Sequence, residues 1–107
     1  MVQIEKDKCE RCLSINNSVI ANLAFAEEFA LRDETDRALV RLHSVSETKM
    51  RMDDLGCLMS AESKLFDNEM AKLGDAIARK DKREVASLTS DAASHLVKAL
   101  QFILCGE

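Results

Sequence analysis

The stretch DDLGCLMSAES, residues 53–63, decides the fold of this chain. An amphipathic segment starting near Thr35 leads into it, and another starting near Ser60 leads out. If the stretch turns, the chain holds four helices of similar length. If it stays helical, one long helix runs through the middle. Gly56 suits the left-handed residue that follows a helix, and Ser60 suits a cap that accepts orphan N–H groups at the next helix start. Both features favour the turn.

Two other places carry clearer signals. In LRDETDRA (31–38), Asp33 or Thr35 is placed to cap a new helix, and Asp36 favours the positive end of its dipole. In ARKDKREVASL (78–88), Asp81 followed three residues later by Glu84 has the form of a capping box. These breaks predict helices over 3–32, 35–55, 60–79 and 82–104. Near-equal helices with short connections fit an up-down-up-down four-helix bundle. The alternative is three helices with a long central one, which would need a partner chain along part of its length and so a dimer.

Composition agrees with an all-α class. The 107 residues include no Pro, Trp or Tyr and only three Gly, while residues that lose little on entering a helix are plentiful. A hydrophobic share of 47% is enough for one modest core, so residues 1–107 read as a single domain. The net charge of −4 comes from interleaved acids and bases. That pattern lacks the basic stripe a nucleic-acid partner needs. The N-terminus MVQIEKDKC carries charges where a secretory signal needs an apolar core, and Glu27 and Glu28 interrupt the most apolar run. The expectation is a cytoplasmic protein with no membrane partner.

Helical periodicity, about 100° per residue, sorts the apolar residues into stripes. The first helix presents Cys12, Val19, Leu23, Ala26 and Ala30, flanked by Cys9, Ile15 and Ile20. The second presents Ala38, Leu39, Leu42 and Val45, after which Lys49 and Asp53 intrude. The third presents Phe66, Met70, Leu73 and Ile77. The fourth presents Val85, Leu88, Ala92, Leu96, Ala99, Phe102 and Ile103. Six apolar residues fall off these stripes: Phe25, Val40, Leu55, Leu58, Val97 and Leu104. A contiguous group of this kind marks a partner or self-association surface, whereas scattered ones are ordinary. Phe25 and Val40 fall at a similar height on neighbouring helices.

Four cysteines span the chain: Cys9, Cys12, Cys57 and Cys105. In the four-helix layout all four arrive at one end of the bundle. Cys9 and Cys12, three apart on one helix face, point to a common centre. In a reducing cytosol the first expectation is plain buried thiols. The second is a four-thiolate zinc site, since four soft sulfurs suffice for tetrahedral zinc. A disulfide or redox role is the third. Cys105 sits about 120° off its helix stripe, so a frayed last turn would have to redirect it.

His95 lies on the apolar stripe of the fourth helix, and the ordinary expectation is a core imidazole bonded to a neighbour. With Asn16, Lys49 and Asp53 it would form a polar patch inside the bundle, able to hold a small polar ligand. Pairing of Lys49 with Asp53 explains the same residues without one. His43 is the only candidate for a phosphoacceptor, but its surroundings lack the His-x-Leu-Lys-Gly setting. No Gly-rich phosphate loop, nucleophile elbow or HExxH occurs, and neither histidine has a Glu three residues before it. The expectation is therefore a non-enzymatic helical bundle acting by protein–protein contact, as a homo-oligomer or with another helical protein, with zinc binding as the alternative.

Overall fold

In the computed structural model the chain is four helices: α1 (Val2–Leu31), α2 (Thr35–Leu55), α3 (Ser60–Ala78) and α4 (Lys82–Ala99). The structure describes residues 2–100, with side chains and burial over 7–100. DDLGCLMSAES does turn, and the four-helix reading holds. α1 packs chiefly on α2 and α3 on α4, so the bundle is two helical hairpins joined through the α1–α4 and α2–α3 seams.

All three turns are built the same way. Each helix ends on a residue in the left-handed conformation: Asp33 (φ 63°), Gly56 (φ 73°) and Lys80 (φ 60°). At each, the next N–H reaches five residues back, as in Glu34 to Phe29 O at 2.9 Å, Cys57 to Met52 O at 2.9 Å and Asp81 to Ala76 O at 3.0 Å. This is the Schellman closure, which satisfies carbonyls that the helix end would otherwise leave open. Only Gly56 avoids the Cβ cost of that conformation. Asp33 is thus the stop of α1 and not a cap of α2, a correction to its expected role. Ser60 opens α3 from inside the helix, where the N-cap is Met59 without a side-chain bond. Asp81 does cap α4, accepting from the Glu84 N–H at 3.1 Å. The Glu84 carboxylate does not reach back in the way of a full capping box. It takes a bond from Arg79 at 2.9 Å instead.

The predicted stripes meet in one core. Val19, Leu23 and Ala26 of α1, Ala38, Leu42 and Val45 of α2, Phe66, Leu73 and Ile77 of α3, and Val85, Ala92 and Leu96 of α4 are all buried. Leu39 is the exception on α2; it is exposed on the outer side. α4 stops at Ala99, short of the expected 104. Leu100 turns to extended backbone and forms an isolated antiparallel bridge with Leu58, while the Met59 N–H donates to Ala99 O at 2.7 Å. Phe102, Ile103, Leu104 and Cys105 lie outside the described residues. No helix among the described residues is long and apolar enough to cross a membrane.

Candidate functional site

Three places bring chemistry-bearing side chains together. The first is the sulfur end of the bundle. Cys12 of α1 and Cys57 of the α2–α3 turn are joined in a disulfide, with Cα atoms 5.6 Å apart across 45 residues of sequence. Gly56 makes this meeting possible, because the Schellman turn sends Cys57 back under the bundle toward α1. Cys9, one helical turn before Cys12, is buried and also disulfide-bonded. Cys105 lies outside the described residues. The expected convergence of separate elements is therefore real for Cys12 and Cys57, but the first expectation for their chemistry needs correcting. They are not free buried thiols. Bonded sulfurs offer no thiolates, so a zinc site built on them belongs only to a reduced chain.

The second place is the α2–α3 seam. Lys49 is 2% exposed, and its ammonium meets Asp53 at 2.7 Å, Asp67 at 2.8 Å and the Ser63 hydroxyl. Ser63 donates in turn to Asp53 at 2.9 Å. The Phe66 ring lies 6.0 Å from the same ammonium. All three Lys49 donors are used, which is how a cation survives inside a bundle. The Lys49–Asp53 pairing was legible from i,i+4 spacing. Ser63 and Asp67 were missed, since they come from another helix and only its rotation brings them in. A serine hydroxyl against a lysine is the contact a serine–lysine nucleophile uses, where the amine takes the hydroxyl proton. Here Lys49 is the donor and Ser63 passes its own proton toward Asp53. The arrangement is a clamp across the seam.

Asn16 and His95 do not join that clamp. Asn16 is buried on α1 and His95 half-buried on α4, and neither Asn16 Oδ1 nor His95 Nδ1 has a hydrogen-bond partner among the described residues. The expected bonded core imidazole is thus not seen at Nδ1. His43 is an exposed side chain paired with Glu47 at 2.9 Å. Near the third turn, Arg79 and Lys82 are spent on local acids and on the neighbouring loop. Arg79 binds Glu84 and lies near Asp75 and Asp81, while Lys82 reaches Asp33 at 3.1 Å. The hydrogen bond and charge of Glu84, with the two aspartates, raise the Arg79 pKa beyond its ordinary value.

The third place is the outer groove between α1 and α2. Val40 is 67% exposed and Phe25 45%. The Arg41 guanidinium lies 5.0 Å from the Phe25 ring centre, and Arg37 lies 5.9 Å from that of Phe29. Arg41 also donates to Asn22 Oδ1 at 3.0 Å. Phe29, Asp36, Arg37, Val40 and Arg41 line a cleft of about 380 Å³. At the opposite end of the same helix pair, Arg11 and Arg51 flank Asp54 and Leu55. Of the six off-stripe residues, Phe25 and Val40 share this face. Val97 is exposed on α4, away from them. Leu55 is half-buried against the core, and Leu58 is 7% exposed because the bridge to Leu100 folds it inward. Leu58 thus does not belong to an outer surface, while Leu55 also lines the cleft beside Arg11 and Arg51. Leu104 lies outside the described residues. The arginines were missed by hydropathy, which sees their charge and not their stacking.

No family model, no curated protein and no solved structure matches this chain.

Proposed function

We propose that this protein is a non-enzymatic binding module, a disulfide-stapled four-helix bundle that works by protein–protein contact through its α1–α2 face. The observation that carries the reading is the exposure of Phe25 and Val40 on one face, with Arg41 over the Phe25 ring and Arg37 over that of Phe29. An exposed aromatic wedged among arginines has the composition of a contact hot spot, since such residues bring large apolar area with a polar edge. The buried Lys49–Ser63 contact, the nearest thing to reactive chemistry, is saturated by Asp53 and Asp67. A disulfide-stapled bundle also suits an oxidising compartment, where such bonds persist, more than the cytosol expected from the sequence.

An apolar dye titrated into the oxidised protein tests the face. Fluorescence should rise with the native chain and fall back in Val40→Glu, with helicity unchanged. An equal response in both, or none in either, contradicts the reading. Light scattering at micromolar concentration then separates a self-associating bundle from one made for a different chain.

A second reading concerns the sulfurs. Once reduced, Cys9, Cys12 and Cys57 would be three thiols gathered at one bundle end, a beginning of a thiolate zinc site. Metal analysis of protein prepared reduced and supplied with zinc decides it. About one zinc per chain supports this reading, and a metal-free chain with titrating thiols removes it.

A further inference from the structure

We propose that the α1–α2 groove receives an acidic amphipathic helix from another protein, an inference that rests on the contact-surface reading above and names its partner. The groove has a charge sign that the whole molecule lacks. Two arginines stand at each end of this helix pair, Arg37 and Arg41 at one cleft and Arg11 and Arg51 at the other, in a chain whose net charge is −4. Among the described residues, Arg11, Arg41 and Arg51 have no carboxylate within ion-pair distance, while Arg37 holds Glu34 at 3.2 Å. The acids near the groove are at its ends, Asp36 at one and Asp54 with Asp7 at the other, where Lys8 adds a further cation, or turned aside, as Glu47 is toward His43.

The arginines are prepared for a carboxylate. The Phe25 ring and the bond to Asn22 hold the Arg41 guanidinium in place on an exposed side chain, and a guanidinium fork matches a carboxylate in two parallel bonds. Between the two arginine clusters, helical spacing puts Ser18 and Asn22 of α1 opposite Ser44 and Thr48 of α2. These are short side chains that let a third backbone come close. From Phe29 to Arg11 the two clefts are 18 residues apart along α1, about 27 Å at 1.5 Å per residue. A partner helix of about five turns fits that length, its apolar stripe starting in the Phe25–Phe29–Val40 cup and its flanking acids facing the arginines.

A second copy of this chain is the poorer occupant. Turning the face on itself sets arginine against arginine, with only the end carboxylates to offset them. A nucleic-acid strand would meet the same arginines but has no use for the apolar cup.

The experiment is fluorescence anisotropy with the intact oxidised protein and labelled 20-residue amphipathic peptides of Leu paired with Glu, Gln or Lys. The Glu peptide should bind at least about tenfold tighter than the Gln peptide, the Lys peptide should not bind, and raised salt should weaken the complex. Arg41→Glu with Arg51→Glu should reverse the order of the Glu and Lys peptides; both sites are exposed, so helicity is retained. Equal binding of the three peptides, or displacement of the Glu peptide by a single-stranded oligonucleotide, overturns the proposal. So does absence of peptide binding. If the dye still reports the Val40 patch in those cases, the contact surface stands and only the partner's chemistry is wrong.

Discussion

Cys12 and Cys57 are bonded across 45 residues, so the start of α1 is tied to the turn that decides the fold. The bond closes a loop holding all of α2 and most of α1. In the unfolded chain that closure removes conformational freedom worth about 4 kcal/mol. Cys12→Ala with Cys57→Ala should therefore lower the unfolding free energy by about that amount in urea. A loss under about 1 kcal/mol would mean that the staple contributes nothing to the native chain.

The Lys49 clamp makes an asymmetric prediction. Lys49→Met removes a buried cation and leaves Asp53 and Asp67, both substantially exposed, free to be solvated. The cost should stay under about 1 kcal/mol. Asp53→Ala with Asp67→Ala instead leaves the buried ammonium with only Ser63, and should cost about 3 kcal/mol. Equal losses from the two changes would show that the clamp works as packing and not as charge.

The helix stops predict changes of opposite sign. Lys80 holds the left-handed conformation without glycine's freedom, so Lys80→Gly should raise stability by about 1 kcal/mol. Gly56→Ala should lower it by about 1–2 kcal/mol. There the added Cβ would stand 3.3 Å from the tip of the flexible Lys8 side chain, so the strain lies in the backbone. Asp81→Ala should cost about 1 kcal/mol through loss of the α4 cap. Thermal and urea unfolding of the three variants checks both signs.

The fold was largely legible because its signals are local. Gly56, Asp81 and the period of the apolar stripes act within a few residues of themselves, and they placed all four helices. The misjudged residues depend on how elements rotate against one another. Leu58 looked outward until the bridge to Leu100 drew it in. Asp33 looked like a cap, but it stops the helix before it, since aspartate tolerates the left-handed turn. Ser63 and Asp67 gave no sign of their tie to Lys49 before α3 was set beside α2. Cys12 and Cys57 were placed well and chemically misjudged, because spacing brings sulfurs together without stating their oxidation state.

The central claim is that α1 and α2 present the working face. Amide chemical-shift mapping of the oxidised protein with the Glu-bearing helical peptide tests it most directly. The account predicts perturbations confined to the groove, over residues 11–29 and 37–55, centred on Phe25, Val40 and Arg41. Perturbations centred on α3 and α4, or none at saturating peptide, would contradict it.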